Sequence, residues 1–262
     1  MAEKIKVTNI SSVGIILRRR DPTQLFLEVK DDGHPINLVR RQLCPIGGNW
    51  IGDAAKADRN TLETFRRELQ EELSFDRPIR SSIELALLGQ ADIEEFAPTP
   101  DPAASPRKRD IAALAHLKRV ICESALSGND YIITIPKAVL DAADSENKRD
   151  GFTTLCSYWT IALEEKEWTM LVKLQEKFKN LSNESITLIT SLDEIVQTGT
   201  NTAFGHDQKL QRFFLNASEL WGPEYATAKD FPIVPGIESI YASPSLSSYE
   251  EYLERYDVAR KP

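Results

Sequence analysis

Residues 66–73 read Arg66-Arg67-Glu68-Leu69-Gln70-Glu71-Glu72-Leu73. They set three carboxylates at i, i+3 and i+4, a spacing that one helical surface can gather. Around them Leu62, Phe65, Leu69 and Leu73 recur at helical period, and Asn60 with Glu63 makes a capping-box-like start. The spacing predicts a helix beginning at Asn60. At about 100° per residue the three acids centre roughly 110° from the apolar stripe, so one side can be buried while Glu68, Glu71 and Glu72 face outward. Carboxylates gathered without matching cations call for a metal. Taken alone, the pattern reads more simply as a solvated acidic helix. Its surroundings decide.

Upstream, residues 5–17 and 24–30 are strand-like, joined at the turn-prone Arg20-Asp21-Pro22-Thr23. Asn37 to Leu43 reads as a third strand ending before Pro45. Pro45-Ile46-Gly47-Gly48-Asn49-Trp50 reads as a loop whose glycines permit unusual backbone or close approach to a ligand. Downstream, strands are expected at 81–90, 131–135, 153–163 and 186–190. A Pro-rich loop is expected at 97–109. Helices are expected from Asp110 to about Leu126 with Ile111, Leu114, Leu117 and Ile121 inward, and at 137–143, 164–179, 192–196 and 209–215. This is an α+β chain. Beyond Asn216 periodicity fades among Pro223, Pro232, Pro235 and Pro244, so the expected division is a domain over 1–215 and an extension over 216–262 that packs on the domain or on a partner.

With strands, a Gly-Gly segment and a capped helix around it, the acidic stretch resembles the Nudix box, Gly-x5-Glu-x7-Arg-Glu-apolar-x-Glu-Glu-x-Gly-apolar. Arg67 to Phe75 matches the second half at every fixed position but one, where Ser74 stands for glycine. Glycine there favours a left-handed cap, so serine is expected to cost about 1 kcal/mol. The first half departs further. Arg67 lies nineteen residues beyond Gly48, five more than the pattern has, which implies an insertion within Gly52 to Asn60 with Asp53 near the missing glutamate.

The resemblance implies a Nudix-type α/β/α sandwich with a mixed sheet, extra helical insertions and the C-terminal extension. It implies a pyrophosphohydrolase, acting on acid anhydrides in nucleoside diphosphates linked to another group, with Mg2+ or Mn2+ as cofactor. Glu68, Glu71 and Glu72 would be the catalytic and metal-holding set, and Arg67 the structural arginine that keeps a box glutamate ionised. Gly47 and Gly48 would offer backbone to the site. Trp50 and Arg41 are the further substrate-binding candidates, for a base and a phosphate. Trp50, Tyr158 and Trp159 read equally as core aromatics. The general base is left open among the box and Glu164, Glu165, Glu167, Asp193 and Glu194. His116 and His206 read as structural, although the turn Phe204-Gly205-His206-Asp207 follows the elements that flank such a cleft. The alternative function is a Nudix-fold domain for ligand sensing or protein interaction with little turnover.

Composition sets outer limits. A charged fraction of 27% and a hydrophobic fraction of 41% suit a soluble globular chain. A net charge of −8 argues against generic nucleic-acid binding, which needs a basic face. No stretch approaches the roughly 20 apolar residues that span a bilayer, so no membrane partner is expected. Cys44, Cys122 and Cys156 are odd in number and widely spaced, the pattern of reduced thiols in a cytoplasmic protein. A homodimer is compatible with the chain, which marks no interface residue.

Overall fold

The computed structural model describes residues 4–50, 58–75, 106–125, 128–146, 149–182, 185–221 and 223–259. Asp53, the strand expected at 81–90 and most of the loop expected at 97–109 lie outside the described residues. The elements in chain order are β1 (Ile5–Val7), β2 (Asn9–Arg18), β3 (Asp21–Val29), β4 (Leu43–Cys44), β5 (Ile46–Asn49), α1 (Thr61–Glu72) and α2 (Lys108–Ser124). They continue as β6 (Gly128–Ile135), α3 (Lys137–Ala143), β7 (Phe152–Leu163), α4 (Glu165–Phe178), β8 (Ile186–Ser191), α5 (Leu192–Thr198) and α6 (His206–Trp221). The last three are β9 (Glu238–Pro244), α7 (Tyr249–Arg255) and β10 (Tyr256–Val258).

The fold is mixed α+β around a mixed sheet. β2 is its spine. One edge of β2 pairs in parallel with β7 from Asn9↔Thr154 to Arg18↔Leu163. Its other edge is shared, Ile16 to Arg18 with β3 and Ser11 to Gly14 with β5. β3 likewise passes from β2 to β4 at Glu28 and Val29, with β8 on its far edge. The β2–β3 hairpin thus opens away from its turn, and β4 and β5 line the opening. Beyond β7 the sheet continues through β6 to β9, both antiparallel.

Helices cover both faces. On one, Phe65, Leu69, Leu117, Ile121, Trp168 and Leu171 pack over Phe26 and Ile161. On the other, Leu140, Ile195, Leu210 and Phe214 cover Val13, Ile15, Leu25 and Ile133. Each of the fully buried Phe65 and Leu69 side chains contributes about 1.5–3 kcal/mol. No described helix is long and apolar enough to cross a membrane.

Three expectations are corrected. Asn37 to Leu43 is not a strand: Asn37–Val39 is a 3-10 turn, and Arg41 at φ 60° cannot continue a ladder. The Gly-Gly segment is a strand, not a loop, because Gly47 and Gly48 pair with Val13 and Ser12. Ile111 is 53% exposed, since Asp110 takes the inward place and bonds Lys177 at 2.6 Å. The chain continues past the 215/216 position. Helix α6 runs through it, β9 extends the sheet, and Tyr249 and Tyr252 of α7 pack on Ile10 and Leu155.

The seat of α1 rests on Gly14, where an added Cβ would lie 2.5 Å from the Phe65 ring. Gly14→Ala is expected to destabilise by about 1–3 kcal/mol in denaturant unfolding, because the buried ring has nowhere to shift. Phe65→Leu in the same chain should recover part of that loss, as a double-mutant cycle would read.

Candidate functional site

Helix α1 starts as its sequence asks. Asn60 is extended at φ −157°, and its side chain accepts the Glu63 N–H at 3.0 Å. Glu63 reaches back one residue further than a capping box would, accepting the Arg59 N–H at 2.8 Å. Ser12 of β2 donates to the Thr61 carbonyl at 2.6 Å, which pins the helix start to the sheet. The helix ends without a left-handed residue. Leu73 is extended at φ −75° and bridges Ser182, while the Ser74 N–H donates to the Leu181 carbonyl at 2.9 Å. The cost expected for Ser74 therefore does not arise.

Two close approaches then place the acids. An added Cβ at Gly48 would lie 2.3 Å from the Glu68 carboxyl carbon, so Glu68 lies directly against the β5 backbone. One at Gly47, where φ is +150°, would lie 2.1 Å from the Ser12 carbonyl oxygen. Only glycine fits at position 47, and any side chain at position 48 would displace the Glu68 carboxylate. Glu68 and Glu72 both line a cavity of about 670 Å³ that Gly47, Gly48 and Asn49 also border. The cavity crosses β5, β2, β7 and β6, marked by Gly48, Ser11, Thr154 and Ile133. Three inter-strand steps make that span roughly 14 Å. Phe152, Phe204 and His34 give the cavity an aromatic part, with His34 edge-on to Phe204 at 5.6 Å.

Arg67 stands behind the acids. It donates to Asp58 at 3.0 Å, to Glu68 at 2.7 Å, to Glu71 at 3.2 Å and to the Asn49 carbonyl at 3.2 Å. Burial works against its charge, but the Asp58 and Glu68 carboxylates hold its pKa above the ordinary arginine value. Lys30 borders the cavity and forms an ion pair with Glu28, which is fully buried and accepts from Ser185. Burial alone would lower the Lys30 pKa; Glu28, Cys44 and Glu72 together raise it, so the ammonium stays charged. His206 also borders the cavity, with Nδ1 2.6 Å from the Tyr158 hydroxyl. Burial first, and the Lys30 charge second, press its pKa down to about 3.

The site residues expected from sequence divide in three. Gly47, Gly48, Glu68 and Glu72 meet at the cavity. Arg67 braces them from behind. The remainder stand elsewhere. The Glu71 side chain is 41% exposed and shares the Arg67 Nη1 donor with Glu68, but it does not border the cavity. Trp50 stacks on Tyr249 with ring centroids 4.2 Å apart and an angle of 14°, within a core cluster. Arg41 pairs with Asp32 at 2.6 Å on the surface. Tyr158 and Trp159 are buried core residues, the latter donating to Ser12 at 3.0 Å. Glu164, Glu165 and Glu167 pair with Arg19, Arg18 and His116, Asp193 accepts from Thr227, and Glu194 caps α5. None of these five borders the cavity. Sequence reasoning missed Lys30, Arg149, Asp58 and Glu28. The available signal for two of them was Glu28 and Lys30, charges two residues apart that follow the apolar run Leu25-Phe26-Leu27 at the end of β3.

Among the described residues no three His, Cys, Asp or Glu side chains converge to hold a metal. The donor chemistry nevertheless fits a hard divalent cation. Mg2+ is commonly held by one or two carboxylates with substrate phosphates completing its shell, and Glu68 and Glu72 supply that number beside an open cavity. They do not make a closed protein cage. No protein-family model matches the chain, and no curated protein is detectably similar to it.

A neutral buried His206 carries a pH signature. Its folded pKa of about 3 lies below the unfolded 6.5, so between those values the unfolded chain binds a proton that the native chain does not. Its contribution to stability is complete above pH 6.5 and is lost as pH falls toward 3. Relative to His206→Asn, the wild type should lose up to about 1.4 kcal/mol per pH unit more across this window in urea titrations.

Proposed function

We propose that this chain is a Nudix-type pyrophosphohydrolase, cleaving a nucleoside diphosphate linked to another group with Mg2+ or Mn2+. The observation that carries this reading is the pair Glu68 and Glu72 on one cavity wall, beside the Gly47-Gly48 backbone. Glu68 and Glu72 would hold the ion, with the Gly47-Gly48 backbone offering a carbonyl. A divalent cation there offsets phosphate charge and makes a water more acidic. Arg67 donates to Glu68 and orients it. Lys30 and Arg149 border the same cavity and suit an anionic ligand. Phe152, Phe204 and Ile133 suit the apolar face of a nucleoside. With the later acids placed elsewhere, Asp31, Glu68 and Glu72 are the described carboxylates that border the cavity and can take a proton from water.

A second reading, a sensing or interaction domain with little turnover, is favoured by Glu71, which is half-exposed and does not border the cavity that Glu68 and Glu72 line. The two readings part in one assay. A panel of nucleoside diphosphate derivatives with Mg2+ or Mn2+ should give product with the wild type. Glu72→Gln should lower kcat on the order of 100-fold with the circular dichroism spectrum unchanged, since a carboxylate that holds the ion supplies several kcal/mol. Tight binding of a panel member without product would sustain the sensor. Turnover that Glu72→Gln leaves intact would remove hydrolysis from this cavity.

A further inference from the structure

The C-terminal helix α7 meets the acidic helix α1 at a buried hydroxyl pair. The Tyr249 hydroxyl lies 2.6 Å from Thr64 Oγ1, and Thr64 Oγ1 donates to Asp58 Oδ2 at 2.9 Å. A threonine hydroxyl has one proton to give. Because that proton goes to Asp58, the Tyr249 hydroxyl is the donor to Thr64. Burial raises the Tyr249 pKa above the ordinary tyrosine value, so the phenol keeps its proton. From Asp58 the chain runs to Arg67 Nε at 3.0 Å, and from Arg67 Nη1 to Glu68 at 2.7 Å.

The neighbours of this chain fix its geometry. Tyr249 stacks on Trp50, its N–H donates to the Arg59 carbonyl at 2.9 Å, and Asn60 donates to the Ser247 carbonyl at 3.2 Å. Thr64 is fully buried and the Asp58 side chain is 8% exposed, so little water competes for these bonds. Asp58 is held from two sides, by Thr64 and by Arg67. Arg67 in turn binds the Asn49 carbonyl of β5, the strand against which Glu68 lies.

We infer that Tyr249 is a positioning residue: acting through Thr64 and Asp58 it fixes Arg67, and through Arg67 the Glu68 carboxylate at the cavity. This gives the C-terminal segment a part in the site, and it rests on the proposed reading of that cavity. Tyr252 provides an internal contrast. It sits on the same helix and is equally buried, but its hydroxyl donates to Asp130 at 2.8 Å, off the chain to Arg67.

Tyr249→Phe keeps the ring on Trp50 and removes only the hydroxyl. In 15N-labelled full-length protein, solvent exchange of the Arg67 Nε–H should quicken about fivefold in Tyr249→Phe, the worth of one hydrogen bond, and stay unchanged in Tyr252→Phe. Thr64→Val, which also removes the bond to Asp58, should give at least that change, and the double variant Thr64→Val/Tyr249→Phe no more than Thr64→Val alone. Mn2+ affinity by calorimetry should fall by about the same factor in Tyr249→Phe and stay unchanged in Tyr252→Phe. An Arg67 signal unmoved by Tyr249→Phe, or moved equally by Tyr252→Phe, overturns the inference. If the wild type takes up no Mn2+ while the Arg67 signal still separates the two variants, the metal-dependent reading fails and the positioning role stands.

Discussion

The structure depends on how closely α1 can approach the sheet. Gly14 gives room for the Phe65 ring and Gly48 gives room for the Glu68 carboxyl group, on neighbouring strands. A helix held off by two Cβ atoms would lift both side chains. Phe65 would leave a void in the core, and Glu68 would lose its place at the cavity. The same two absent methyl groups therefore serve packing and chemistry together. Ser12, paired with Gly48 and two residues from Gly14, ties the helix start to β2 and accepts from Trp159.

Around that seat, two ion pairs are buried or nearly so. Glu28 is buried against Lys30, which borders the cavity, and Asp58 pairs with Arg67 outside the cavity lining. Removing one member of such a pair strands the other in low dielectric, at about 3–5 kcal/mol. Replacing both members with apolar groups is often neutral or stabilising, so pairing of this kind is poor support for stability as such. Its effect here is geometric. Arg67 spends its donors on Asp58, Glu68, Glu71 and the Asn49 carbonyl, which leaves the acidic face little freedom to rearrange.

What was legible in the sequence is what local spacing controls. The Asn60 cap, the Phe65 and Leu69 stripe and the span of α1 follow from helical period and cap chemistry. Long β7 and helix α4 are equally plain, being periodic over many residues. What failed depends on distant partners. Gly47-Gly48 looks like a loop until Ser12 and Val13, some way back in the chain, pair with it. Trp50 looks available to a ligand until Tyr249, near the far end, stacks on it. Glu71 and Glu72 are adjacent in sequence, yet one is turned to Arg67 and the other is 3% exposed at the cavity. The C-terminal elements escaped because β10 is three residues long and β9 leaves Ile240 and Tyr241 exposed, so neither shows alternation.

The account turns on Glu68 and Glu72 acting together on one ion. The direct measurement is an anomalous difference map from crystals grown with Mn2+. A single strong peak ligated by carboxylate oxygens of both Glu68 and Glu72 in the cavity is the predicted result. A cavity without a peak at millimolar Mn2+, or a peak held by other side chains, would contradict it.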